Sequence, residues 1–283
     1  MSDGLDRCGL VRWEDLDDPR RARLFEDMAR FSRLWLCDRR TWWPDLPWPP
    51  DALRQWSRQF EYPYAFHHLQ ETAGPRVLDA GSGITFFPFY LALHGFDVTC
   101  ADRDPRVEGA FRTLETRLPA RLGVRFQNAS LDRLPWDDSH FDHVVCVSVL
   151  EHLAPDNRPP ALRELARVLR PGGTLVLTVD VWLGPPETAR GLPLDRIPEF
   201  AAELRAAGLQ PKRPVLDRER PERLLTTLRF RDRPEWLPWT HLPERPRPRR
   251  WAARIVRRWL RIRTFRPLAL ATFACTREQE GRA

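Results

Sequence analysis

The chain has 283 residues, 42% of them hydrophobic and 30% charged, a balance that excludes an extended disordered region and a low-complexity protein. No apolar run approaches the roughly 18 residues that a membrane-spanning helix needs. Of the net charge of +7, ten arginines against Glu244 place +9 between His241 and Arg266, leaving the rest of the chain near neutral at −2. Lys212 is the only lysine, so the arginine bias reads as overall composition, and nucleic acid is not expected as a partner. Cys8, Cys37, Cys100, Cys146 and Cys275 are odd in number and widely spaced, with no CxxC pair. Neither a disulfide framework nor a metal site is expected, and a reducing, cytoplasmic setting fits. The acidic, polar N-terminus does not resemble a signal peptide.

Residues 1–72 read as a tryptophan-rich helical extension, a lid over the rest, with Trp13, Trp35, Trp42, Trp43, Trp48 and Trp56. Helical spacing runs over Arg20–Cys37, a proline-broken connector follows at Trp43–Pro50, and a helix is predicted from Asp51 to about Phe60. From Arg76 the pattern alternates between strand and helix, as a parallel sheet requires. Strands are predicted at Arg76–Ala80, Asp97–Ala101, Val124–Asn128, His143–Ser148 and Thr174–Val179. Helices are predicted at Thr85–His94, Pro105–Arg117, Pro159–Leu169 and Pro198–Ala207. Arg170-Pro171-Gly172-Gly173 reads as a helix stop. Residues 73–216 thus form an α/β core, 217–267 a Pro/Arg-rich insertion, and 268–283 a last strand at Leu268–Thr276 with a tail.

The densest information lies in Val77-Leu78-Asp79-Ala80-Gly81-Ser82-Gly83. An apolar strand reaches a carboxylate, then two glycines one residue apart, then a helix start. Such a turn lets backbone approach a nucleotide-like ligand closely. Its shape suits NAD or an adenosyl sulfonium. The Asp79 carboxylate separates them, since it would repel a pyrophosphate and attract an amino group or a cationic centre. The second strand ends at Asp102, where a carboxylate can accept hydrogen bonds from both hydroxyls of a ribose.

With VLDAGSG (77–83), DVTCAD (97–102), LPWDDSHFDHVVCVSVLEHL (134–153) and RELARVLRPGGTLVLTV (163–179) in this order and spacing, the chain resembles the class I S-adenosylmethionine-dependent methyltransferases over about residues 61–180. The resemblance implies a Rossmann-like three-layer sandwich with a mostly parallel seven-stranded sheet and an antiparallel last strand. It implies S-adenosyl-L-methionine as cofactor and transfer to oxygen or nitrogen of a small-molecule or saccharide acceptor. Asp79, Gly81, Ser82 and Gly83 would lie beside its methionine part and Asp102 would hold the ribose. Ser130, where many relatives have Asp, and the Leu131 backbone would meet the adenine, and Ser148 joins this set. The segments Glu61-Tyr62-Pro63-Tyr64, Phe86–Tyr90 and Leu224–Thr227 are similar to a bacterial subgroup found in polysaccharide and other biosynthetic clusters.

Several residues carry two readings. His152, just past the fourth strand, is the best-placed general base for an acceptor that must lose a proton, or else a histidine that starts the next segment. Glu151 has a similar choice between substrate contact and a solvated loop, and the loop is the plainer reading. Tyr62 and Tyr64 either close the cofactor pocket against the sulfonium or pack a helix on the sheet. His67 and His68 read as packing or surface residues. At 250–263, Trp251, Ile255 and Trp259 share one helical face and arginines the other. The plainest reading is a helix packed on its own domain, ahead of peripheral contact with anionic lipid; binding of a phosphorylated or nucleotide-linked substrate is a further reading, and RNA binding comes last. A macromolecular acceptor and a non-catalytic cofactor-binding module stay open as alternatives, and the sequence leaves the oligomeric state undetermined.

Overall fold

The computed structural model describes residues 4–36, 53, 55–115, 122–185, 191–230 and 266–279. In chain order these form β1 (Cys8–Leu10), α1 (Pro19–Leu36), α2 (Arg58–Leu69), β2 (Arg76–Ala80), α3 (Phe87–Leu93), β3 (Asp97–Asp102), α4 (Pro105–Glu115) and β4 (Arg125–Asn128). They continue with β5 (Phe141–Val147), α5 (Arg158–Val168), β6 (Leu169–Trp182), β7 (Leu192–Pro193), α6 (Ile197–Ala206), β8 (Leu209–Pro211), β9 (Val215–Leu216) and β10 (Leu268–Arg277). The basic segment 250–263 and its readings lie outside the described residues, as do Trp42, Trp43 and Trp48.

All ten strands join one sheet in the order β4-β3-β2-β5-β6-β10-β1-β9, with β7 beside β6 and β8 beside β10. Strands β4, β3, β2, β5 and β6 are parallel, and β10 runs antiparallel to β6 from Leu268↔Trp182 to Thr276↔Thr174. The expected parallel core and antiparallel last strand are present, but the sheet exceeds seven strands. Part of the excess comes from the N-terminal region, which is not only helical. Its strand β1 pairs with β10 through Gly9↔Thr272 and then with β9. Three residues make β1, too few for an alternating apolar pattern to declare itself.

Alternation within the strands explains the layers. Val77, Val98 and Val145 face one core with Met28, Phe60, Phe89 and Phe111, which come from α1 to α4. Leu78, Ala101, Val144 and Cys146 face the other with Leu162 and Leu165 of α5 and Phe200 of α6. Successive side chains point to opposite faces of a strand, so one buried strand feeds both layers.

Helix α2 departs from the expected end near Phe60 and runs on through Pro63 to Leu69. Proline normally breaks a helix by removing one hydrogen bond and crowding the preceding turn. Here burial of Phe60, Tyr62, Tyr64, Phe66 and Leu69 offsets that cost. At Leu169 the chain leaves α5 directly into β6. The expected stop at Arg170–Gly173 lies inside the strand, where the pairing slips between Phe141↔Leu169 and His143↔Thr174.

Candidate active site

The strand order reverses at β2, whose neighbours are β3 on one side and β5 on the other, and ligands bind at such switch points beyond the carboxyl ends of the strands. A cavity of about 890 Å³ opens there. Its walls hold Asp79, Gly81, Ser82, Gly83, Asp102, Ser130, Leu131, Ser148 and Tyr62, and also His152. These ten residues that the sequence singled out for cofactor or acceptor are thus brought to one cavity, and Tyr64 is not.

At one end the turn after β2 is shaped by backbone. Gly81 has φ +73°, and a Cβ there would stand 2.7 Å from Cγ2 of Val149; Gly83 has φ +50°. Both conformations favour glycine, and a side chain at Gly81 is opposed by space as well. The Gly81 and Ser82 amides donate to the carbonyl of Ala101 at 2.7 and 3.1 Å, which ties the turn to β3. Asp102 is oriented by two backbone donors, Gly83 N–H to Oδ2 and Asp104 N–H to Oδ1, each at 2.9 Å. Each carboxylate oxygen keeps a further lone pair for a ligand hydroxyl.

Asp79 is 5% exposed, and burial together with the neighbouring Asp102 pushes its pKa up to about 7, against a partial opposing pull from Arg58. A buried carboxylate in this state is short of a positive partner. An amino group supplied by a ligand meets that need, and the glycine cradle leaves room for it. The site therefore fits the amino-acid end of an adenosyl sulfonium.

The other end is built from charges on separate elements. Glu61 of α2 is fully buried and accepts from Thr178 Oγ1 at 2.6 Å, Ser148 Oγ at 2.7 Å and Arg58 at 2.5 Å. Arg58 also donates to Ser148 Oγ at 2.9 Å, and its guanidinium lies 5.6 Å from the Tyr62 ring. Ser148 sits at φ +53°, an uncommon conformation for a residue with a side chain, and Thr178 accepts its amide through both backbone and hydroxyl oxygens. Asp180 lines the cavity at the end of β6, and its amide donates to Oε1 of Glu151 at 3.1 Å. Glu151 is 7% exposed, which corrects its reading as a solvated loop residue: the turn after β5 folds inward and carries the carboxyl beneath β6.

His152 stands exposed on the cavity wall. The protein around its ring, with Arg266 and Arg58 nearby, lowers its pKa and keeps it neutral near pH 7. Tyr62 packs and also reaches the cavity. Its ring stacks on Phe87 at 4.7 Å while also lining the cavity. Tyr64 only packs: it is buried away from the cavity and donates to the carbonyl of Arg7 at 2.9 Å. His67 and His68 pair with Asp6 and Glu71 outside the cavity.

Residues 78–177 match the methyltransferase-domain family. Over these residues the chain is similar to methyltransferase domains. An uncharacterized methyltransferase of Mycobacterium sp. (strain JLS) is 38% identical over 113 residues, 40% of this chain and 41% of that protein. One from Mycolicibacterium vanbaalenii is 36% identical over 117 residues, 41% and 43% of the two chains. The chain thus spans about two fifths of the length of these relatives. In fold, the [4+2]-cyclase SpnF superposes with a TM-score of 0.56 at 18% identity, covering 89% of this chain and 95% of that one. A candidate sarcosine dimethylglycine methyltransferase from Galdieria sulphuraria gives 0.53 at 15% identity, covering 77% and 85%. These likenesses establish the architecture of the methyltransferase domain and not its chemistry.

Sequence reasoning did not assign Arg58, Trp56, Asp180 and Arg266 to the cavity. For Asp180 a signal existed. The run Leu175–Val179 ends on a carboxylate just as β2 and β3 carry Asp79 and Asp102 at their carboxyl ends. For Arg58 and Arg266 no local pattern distinguishes them among the chain's many arginines.

Proposed function

We propose that the protein transfers a methyl group from S-adenosylmethionine to oxygen or nitrogen of a small-molecule or saccharide acceptor in a biosynthetic pathway. The observation that supports this most is the pair of strand-end carboxylates flanking the glycine turn. Asp79 is buried with only a partial pull from Arg58, and Asp102 is held by two amides with lone pairs to spare. In this reading Asp79 takes the ammonium of the cofactor and Asp102 its ribose hydroxyls. Ser130 and the Leu131 amide meet the adenine. When bound, the cofactor supplies an electrophilic methyl group on a cationic sulfur. The chain orients the acceptor against it, excludes water and removes a proton, and His152 is neutral and able to accept one.

The alternatives of a macromolecular acceptor and of a cofactor-binding module without catalysis lead to different measurements. Calorimetry with S-adenosylhomocysteine tests the first step, and absence of binding would overturn the reading. Binding without label transfer from the methyl-labelled cofactor to any small-molecule fraction of a lysate favours the non-catalytic module. Label recovered in RNA or protein favours the macromolecular acceptor.

A further inference from the structure

The segment Glu61-Tyr62-Pro63-Tyr64 does more than pack α2 on the sheet. The first turn of that helix brings Arg58 to the cavity wall, beside Ser57 and Tyr62. Arg58 is held firmly there. Its Nη1 donates to Oε2 of Glu61 at 2.5 Å and to Ser148 Oγ at 2.9 Å, and its guanidinium carbon lies 5.6 Å from the centre of the Tyr62 ring. Glu61 is fixed in turn from β6 and from the turn after β5, because its Oε1 accepts from Thr178 and Ser148. Both anchoring bonds leave from one nitrogen of a planar group with five donors, so they set the plane in which the guanidinium meets the cavity.

Among the described residues, the arginines that line the cavity are Arg58, Arg103, Arg106 and Arg266. Arg103 and Arg106 are exposed, and Arg106 donates to both oxygens of Asp104. Arg266 acts on His152 and Asp180. Arg58 is the one cation among the described residues whose charge pulls on the Asp79 carboxyl. The amino-acid arm of S-adenosylmethionine bears an ammonium and a carboxylate on a single carbon. A site that takes the ammonium at Asp79 must therefore meet the carboxylate close by, since a carboxylate stripped of water without a charged donor is costly. Asp79 and Arg58 together match both charges of that arm.

We propose that Arg58 binds the carboxylate of the cofactor's amino-acid arm, and that Glu61 is the positioning residue that aims it. The inference deepens the methyl-transfer reading and rests on it. A guanidinium meets a carboxylate with parallel N–H···O bonds, which the opposite charges make stronger than bonds between neutral groups. Arg58 stands on α2 and Asp79 on β2, so the arm joins the helix to the carboxyl edge of the sheet. An adenosine thioether whose arm has no carboxylate forgoes the Arg58 pair and keeps only the Asp79 one.

Calorimetry on the full chain with a series of adenosine thioethers tests the assignment. S-adenosylhomocysteine has the whole arm, its decarboxylated analogue keeps the ammonium alone, and 5′-methylthioadenosine has neither charge. Wild type is expected to bind S-adenosylhomocysteine at least roughly tenfold tighter than the decarboxylated analogue. Arg58→Gln is expected to cut that ratio to within about threefold and to leave 5′-methylthioadenosine within about twofold of wild type. Glu61→Gln keeps an oxygen for Thr178 and Ser148 but loses the charge that anchors Arg58. It is expected to lower the ratio severalfold with 5′-methylthioadenosine again unchanged, a selective loss that a merely structural role would not produce. If Arg58→Gln fails to fold, the double variant Arg58→Gln/Glu61→Gln, which strands neither charge, is expected to give the same ratio in its place. Equal affinity of wild type for S-adenosylhomocysteine and the decarboxylated analogue, or a wild-type ratio in the Arg58 variant that folds, would overturn the assignment, and binding of 5′-methylthioadenosine would then leave the cofactor reading standing. If none of these thioethers binds, the methyl-transfer reading itself fails and the assignment falls with it.

Discussion

The two ends of the cavity are made in different ways. The end proposed for the cofactor is assembled by a short stretch of chain, from Asp79 to Asp104, and its key contacts are backbone amides and carbonyls: Gly83 N–H on Asp102, and the Gly81 and Ser82 amides on Ala101. The end proposed for the acceptor draws on α2, the turn after β5, the end of β6 and the start of β10. Its central bonds join side chains 87 and 117 residues apart, from Ser148 and Thr178 to Glu61. One end holds its shape by local conformation. The other depends on charges that only long-range packing has brought together, so changes at the two ends should show up in different measurements.

The sharpest contrast comes from Glu61→Ala. It strips the acceptor from Arg58, Ser148 and Thr178 and leaves a guanidinium facing a buried hole. Removing one member of a buried pair costs about 3 kcal/mol or more, so the urea midpoint should fall well below that of the wild type. An unchanged midpoint would mean that the acceptor end is not held by this network.

Asp102→Ala should act mainly on binding. Hydrogen bonds to a charged acceptor are worth about 1.5–3 kcal/mol each, so S-adenosylhomocysteine affinity measured by calorimetry should fall at least roughly tenfold while the fold survives. A larger loss of stability than of affinity would erase the distinction between the two ends.

Asp79 gives a pH signature. With its pKa raised to about 7, the free carboxyl must lose a proton before it pairs with an ammonium. Affinity for S-adenosylhomocysteine should therefore weaken as pH falls below about 7, by up to about tenfold per unit, or about 1.4 kcal/mol. The sign for folding is the reverse. The folded protein holds a proton that the unfolded chain, near its model value of 3.8, has released, so stability falls as pH rises between about 4 and 7. Asp79→Asn should remove its share of that slope in denaturation curves taken across the window, and an unaltered slope would show that the carboxyl is not buried in this way.

The smallest effect is expected for His152→Ala, which should leave S-adenosylhomocysteine affinity within about twofold and slow turnover on an identified acceptor. A large loss of cofactor affinity would move His152 from the acceptor end to the cofactor end.

How far the site could be read beforehand follows the same division. The glycine turn, Asp79 and Asp102 were legible because a tight turn needs glycine and a strand end needs no partner to be recognised. Helix α2 was not, because its proline reads as a break until burial of its aromatic residues is seen to outweigh the lost hydrogen bond. Strand β1 was missed because three residues carry no period, and Glu151 was misread because nothing in its neighbours tells that the turn folds inward.

The local period of apolar residues by itself indicated the alternating strands and helices of a parallel core and a last strand at Leu268–Thr276, since these depend on burying both faces of a sheet, whereas the antiparallel sense of that strand was implied by the family resemblance. Only the tertiary structure decided which arginine meets Glu61, that Asp180 and Glu151 lie together in the interior, and that Asp79 and Asp180 hold their protons up to about pH 7. Those properties are differences between a charge in water and the same charge in a packed interior. A linear sequence carries the charges, but the desolvation and the neighbours that set their chemistry exist only once the chain has folded.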